Sequence, residues 1–423
     1  MSLKRFRSDL KHVLDASSPR DGFEHRVMEH IERRQSSRIR TAYSRSARLK
    51  GVKPALAALT AMTILSAVIF TSIRLQSHPA TPLPETTAEL QGIYAVNANE
   101  AWAAGWRQSR SAGSQTLIEH WTDGTWQNVT SPSPGSTENV LYDISGGRSS
   151  MWAVGAVRGL GASQTLILRW GGHSWDLVDS ANRGLSDNLL MAVASGRIDD
   201  DAWAVGSAAD DDRVVSALVE HWNGSTWSLV PTPDFGASAS ALTDVVVLPS
   251  GDVWVSGSIR ESGKPSRALA MRWSHGAWTV TATPVIGLST RFNALAGTSE
   301  SNLWAAGSAD EGGRTITLIA RWNNDAWSIT PSPNPGTSGN EIRSVWVAAN
   351  GRAWAVGLYS NGSEVRPLAE VWNGAEWILD NPDASRAGWL NAVAAQDSTV
   401  LAVGSTSTGV DGSRGPLASQ IHY

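Results

Sequence analysis

The chain contains no cysteine. That single absence excludes disulfides, thiolate zinc sites, iron–sulfur ligation and cysteine nucleophiles. Tyrosine and phenylalanine are scarce, at five each in 423 residues. No P-loop, no dinucleotide-type glycine fingerprint and no Gly-x-Ser-x-Gly elbow occurs. Tryptophan is abundant instead, at 21 residues. The net charge of −4 averages two unlike parts, because residues 1–53 hold 14 Lys and Arg against six Asp and Glu, while the remainder is acidic.

Between the two parts lies an uncharged run, residues 54–73, bounded by Lys53 and Arg74. Twenty residues at about 1.5 Å each span about 30 Å, the thickness of a bilayer's hydrocarbon core. Pro54 falls on the first turn, where a missing N–H costs nothing. Eight basic residues from Arg33 to Lys53 precede the run with no acid among them, which puts the N-terminus in the cytoplasm and the remainder outside. A cleaved signal peptide is the alternative, but it has a short leading region and a shorter apolar core. The expectation is a single-pass anchor in the cell membrane.

Residues 1–53 form a basic tail. Leu3, Phe6, Leu10, Val13 and Leu14, and then Phe23, Val27, Met28 and Ile31, recur at helical spacing and predict two short amphipathic helices. Such a tail either lies on anionic lipid or docks a cytoplasmic protein through residues 1–48. The layout resembles membrane-bound anti-sigma regulators, although their zinc-binding His-Cys-Cys motif is missing.

After the span the sequence repeats with a period near 50. Each unit carries an aromatic–small–small–Gly mark that starts at Trp102, Trp152, Trp203, Trp254, Trp304 and Trp354, with Leu401 in the last. A second Trp follows 18 or 19 residues later, at Trp121, Trp170, Trp222, Trp273, Trp322 and Trp372, and a third five residues on. The regularity makes these rings blade-packing residues rather than catalytic ones. The units read as four short strands, with tight hairpin turns between the last two, as at Asn223-Gly224, Asn373-Gly374, Asp123-Gly124 and Gly171-Gly172, and with proline ending the fourth, as in residues 226–233 and 326–333. The expected fold is all-β: a seven-bladed β-propeller of four-stranded blades, preceded by one transmembrane helix and the short helical tail. Residues 74–89 form a Pro-rich connector before the propeller of residues 90–423. The seventh repeat stops before a fourth strand, so residues 75–82 are expected to supply it and close the ring.

The pattern resembles kelch repeats and related galactose-oxidase-type propellers: Val205-Gly206 stands where their Gly pair stands, and Trp222 with Trp227 stands for their aromatic–Trp pair. The first Gly of the pair is replaced by Val, Ala or Ser. The copper site of that relative needs a cross-linked cysteine, which this chain lacks. The aspartate-box propellers of sialidases are a competing resemblance, carried by TDGTW at 122–126, but other repeats lack the Asp.

His120, His221 and His422 share one repeat position with Arg169, Arg272 and Arg321, which reads as a solvated or blade-packing slot rather than a metal ligand. The runs Asp199–Asp201 and Asp210–Asp212 read as solvated turns, with calcium binding the other possibility. The candidate ligand face is the set of second-to-third-strand loops, each with an arginine: Arg107 and Arg110, Arg158, Arg213, Arg260, Arg314, Arg366 and Arg414. Arginine forks suit anionic groups such as a sugar acid or a peptide carboxylate. The functional expectation is an extracytoplasmic binding or scaffold module for a protein or glycan, with no cofactor, no catalytic constellation and no nucleic-acid partner. The alternatives are a transmembrane sensor whose tail holds a signalling partner and, more remotely, a propeller-based glycan hydrolase or lyase.

Overall fold

The computed structural model describes residues 76–77, 87–108, 113–147, 150–196, 200–380, 386–407 and 414–422. The tail of residues 1–53, the run 54–73 and Arg110 lie outside the described residues. The fold is all-β, built from repeated four-stranded antiparallel sheets. In the third repeat Asn188–Ser195, Ala202–Ala209, Val215–Trp222 and Trp227–Leu229 pair in that order. The outermost strand is short, which limits the exposed pairing edge. The last sheet runs Gly388–Gln396, Thr399–Ser407 and Arg414–His422, and its outer partner is Gln76–Ser77. The opening strand, Thr87–Asn97, starts inside the stretch read from sequence as a connector.

The first strand of each sheet contacts the first strand of the next, and Thr87–Asn97 also contacts Gly388–Gln396 of the last. Side chains tie these inner strands together. Asp143 accepts from the Val193 amide at 2.9 Å and Asp244 from the Leu295 amide at 2.6 Å. Asn293 donates to the Ile342 carbonyl and Asn391 to the Leu90 carbonyl, both at 2.8 Å.

Between sheets the core is aromatic. The Trp that opens the WAVG unit packs against the Trp pair of the following repeat: Trp152 lies 5.0 Å from Trp222 and 5.2 Å from Trp227, and Trp304 lies 5.1 Å from Trp372 and 5.5 Å from Trp377. Trp102, Trp203 and Trp254 make the same contacts with Trp170, Trp273 and Trp322. Trp121 packs with Leu401 and Val403 of the last sheet, and Trp354 with Val400. The shared His/Arg slot covers the WAVG ring of its own repeat. His120 stacks on Trp102 at 3.9 Å and His221 on Trp203 at 4.3 Å, while Arg169 and Arg321 lie over Trp152 and Trp304. A flat cation or imidazole suits that place because it covers an indole face and keeps a polar edge in water.

The WAVG glycine has a backbone cause. Every first strand carries a bulge, between Leu190 and Ala192 in the third repeat and at the matching place in the others. The bulge brings a first-strand carbonyl onto the facing glycine: a Cβ on Gly105, Gly155, Gly206, Gly257, Gly307, Gly357 or Gly404 would sit 1.9–2.2 Å from that oxygen. No other residue type fits.

Several carboxyls are withdrawn from water: Glu119, Glu220 and Glu370 are buried, and Asp143 and Asp244 are half-buried on inner strands. Burial pushes Glu119, Asp143 and Glu220 up to about 7, and Asp244 and Glu370 up to about 8. Their ordinary values are 4.5 for Glu and 3.8 for Asp. The folded chain therefore holds more protons than the unfolded chain above about pH 4, and stability is lost as pH rises through 7 to 8. The unfolding midpoint is expected to be about 5 °C lower at about pH 8.5 than at about pH 5.5, and Glu370→Gln is expected to reduce that difference. A midpoint that rises with pH would show that these carboxyls ionise freely.

Candidate functional site

An antiparallel meander sends its second-to-third hairpins and its fourth-to-first connections to the same end of each sheet. The leading residues of the first strands also lie there, around the mouth of the ring they form. The core position in these strands repeats: Leu90, Leu141, Leu190, Leu242, Phe292, Ile342 and Leu390 are each no more than 2% exposed. The residue before it does not repeat. It is apolar in three successive repeats, as Val140, Leu189 and Ala241, and then becomes Arg291, Glu341, Trp389 and, across the closure, Glu89.

These last four residues belong to one polar arc. Arg291 and Asn293 each donate to Glu341 Oε1 at 3.0 Å. Burial alone would raise the Glu341 carboxyl, but the Arg291 and Arg343 charges and these hydrogen bonds hold it below its ordinary value. Arg343 donates to Asn391 Oδ1 at 2.7 Å, and Asn391 donates to Glu89 Oε1 at 2.9 Å. Trp389 Nε1 also donates to Glu89 Oε1, at 2.8 Å, while Arg414 lies 3.8 Å from Glu89 Oε2. The guanidinium carbons of Arg343 and Arg414 stand 5.8 and 5.0 Å from the Trp389 ring centroid. Two cations and two carboxylates on four consecutive inner strands thus meet a third cation, Arg414, from the start of the last sheet's third strand.

The arginines picked out from sequence have divided fates. Arg158 pairs with Asp187 and Glu138, Arg366 with Glu364 and Arg414 with Glu89. Arg107, Arg213, Arg260 and Arg314 form no ion pair among the described residues. Most stand at strand ends rather than on loop tips: Arg107, Arg158 and Arg260 close or nearly close second strands, and Arg314 and Arg414 open third strands. Arg213 lies in a turn with φ of 62°. The rim is mixed in sign, and the mouth is where cations exceed acids. Of the residues that form the arc, only Arg414 belonged to that set. Glu89, Arg291, Glu341, Arg343, Trp389 and Asn391 were passed over, and the signal that marks them is the breaking of the repeat in an otherwise regular column.

Asp199 lies outside the described residues, and the other members of the two aspartate runs have separate partners. Asp200 pairs with Arg169 and Asp201 with His221, whereas Asp210 accepts from the Val214 amide. Among the described residues no group of three or more His, Asp or Glu side chains is placed to hold a metal ion.

Three leucines at the same end are bare, two in the second and third repeats and one just before the strand that carries Arg291. Leu160 is fully exposed, Leu185 is 90% exposed and Leu288 is 73% exposed. Leu185 edges a pocket of about 170 Å³ formed with Arg183, Ser186, Asp210 and Asp211.

No family model matches the chain, and no curated protein matches it. Among solved structures, it is similar to YCF48 bound to D1 peptide, at 13% identity and a TM-score of 0.50, over 84% of this chain and 99% of that one. It is also similar to the extracellular domain of BT4673, described as a hybrid two-component system, from B. thetaiotaomicron, at 10% identity and a TM-score of 0.50. That likeness covers 83% of this chain and 40% of the other. At such identities the likeness concerns fold alone, and the fold is a β-propeller.

Proposed function

We propose that the chain is a membrane-anchored binding module that takes a protein ligand at the mouth of its ring. Residues 54–73 serve as the single span, residues 1–53 stay in the cytoplasm, and a closed seven-bladed, kelch-like propeller stands outside. Residues 75–82 complete the last blade, a reading supported by the pairing of Gln76–Ser77 with residues 419–420. The observation that carries the binding function is the loss of repeat symmetry at one end of the inner strands. Packing positions recur in repeat after repeat, whereas this end holds a charged arc and three bare leucines, of which Leu288 lies three residues before Arg291. Glu89 and Glu341 are held by arginine and amide donors, which supports binding rather than turnover. A sensor whose tail carries the output is the second reading, supported by the two apolar stripes of the tail.

The test uses the full chain in lipid nanodiscs against immobilised random dodecapeptides. Leu185→Glu combined with Leu288→Glu is expected to weaken retention more than tenfold. Leu177→Glu, on the outermost strand of the second repeat, is expected to leave retention unchanged. Equal retention by the two variants would remove the mouth as the ligand face.

A further inference from the structure

We infer that the propeller meets its membrane by the end opposite the mouth, so that the mouth is held clear of the lipid and takes its ligand from the aqueous side. The inference rests on the reading of residues 54–73 as the span and adds which surface faces the bilayer. The direction of the closing strand carries it. In the last sheet Arg414 pairs with Ser407 at the mouth, and His422 pairs with Thr399 at the opposite end. Gln76 faces Gln420 and Ser77 faces Ser419, so the pairing is antiparallel and the chain ahead of Gln76 leads away from the mouth. The other fourth strands run the same way. In the third repeat Trp227, which opens the strand, faces Trp222 beside the Asn223-Gly224 turn, and Leu229 faces Glu220 nearer the mouth.

Two distances decide the stance. Ile73, the last residue of the uncharged run, is three residues from Gln76, a reach of at most about 11 Å when fully extended. Arg414, at the mouth, is six residues along its strand from Gln420, or about 20 Å at about 3.4 Å per residue. A tether half that long cannot bring the mouth down to the lipid while Gln76–Ser77 stays paired. The turns at the far end suit a hydrated headgroup layer. They carry Asn99, Asp123, Asn373 and Asp397, and none of the large aliphatic side chains exposed among the described residues lies on them. Insertion would desolvate these polar groups with no apolar area to offset the cost. A partner lying in the same membrane would need a stalk of about 20 Å to reach the mouth, whereas one arriving from the aqueous side needs none.

Because the chain has no cysteine, a single introduced thiol takes all of a label. Ser398→Cys places it on an exposed turn at the far end of the last sheet. Ser363→Cys places it on an exposed hairpin at the mouth end of the neighbouring sheet. Each full chain carries bimane in phosphatidylcholine nanodiscs, with and without a nitroxide on the headgroups. Quenching is expected to be at least threefold stronger for the Ser398→Cys chain than for the Ser363→Cys chain. Should either variant fail to fold, Ala375→Cys and Ser262→Cys report the same two ends from exposed turns. Equal quenching at the two ends, or stronger quenching at the mouth, overturns the stance and leaves the anchor standing. Flotation of the same labelled chains with phosphatidylcholine liposomes reads the anchor by itself: a chain that stays behind in the dense fraction removes the span, and the inference with it.

Discussion

Gly206→Ala is expected to cost about 3–5 kcal/mol, enough to leave much of the chain unfolded at ambient temperature. The added methyl would sit 2.1 Å from the Leu189 carbonyl oxygen and 2.9 Å from Leu190 Cα. Both neighbours are backbone atoms of an inner strand, so no side-chain rotation relieves the clash. Moving that strand would break its bridges to the preceding repeat, from the Val193 amide to Asp143 and from the Ser195 amide to Ser145. Gly161→Ala supplies the comparison, because nothing lies within 4 Å of a Cβ there and its φ is not left-handed; its effect is expected within about 0.5 kcal/mol. Thermal unfolding followed by far-ultraviolet circular dichroism reads both. Matching midpoints for the two variants would mean that the bulge does not press on the glycine.

Trp304→Ala is expected to cost about 3–5 kcal/mol. The ring is 1% exposed and touches Trp372 and Trp377 of the following repeat, so its removal opens a cavity between two sheets rather than within one. Trp304→Phe should recover roughly half, since a smaller ring keeps part of the buried area. Urea titration checks this, with the slope as well as the midpoint recorded. A shallower slope for the alanine variant would show the sheets parting in steps. An unchanged midpoint would mean that the indole adds nothing to the junction.

The repeat made the strands legible before any coordinates. Trp at fixed intervals, Asn-Gly turns and proline after the fourth strand are local signals, and Trp227–Leu229 ends just before Val230-Pro231 as that chemistry requires. The recurrence of the WAVG glycine was also readable. Its cause was not, because a bulge depends on how two strands pair. Nor did spacing reveal that Trp152 packs against Trp222 and Trp227, one period ahead, since a periodic sequence looks the same whichever neighbour is chosen. The mouth was least legible of all. A search for what recurs passes over Glu89, Arg343 and Trp389, which matter because they do not recur. The arginines it did find include Arg158 and Arg366, whose charges are met by Asp187 and Glu364.

The bond from Trp389 to Glu89 joins residues 300 positions apart. On a ribosome that adds about 5–20 residues per second, the Glu89 carboxylate is made roughly 15–60 s before its indole partner. Throughout that interval the nascent chain has to stay soluble with one flank of its oldest sheet uncovered. Translation speed and chaperone access over the stretch that encodes the repeat of Trp389 therefore bear on the yield of folded protein.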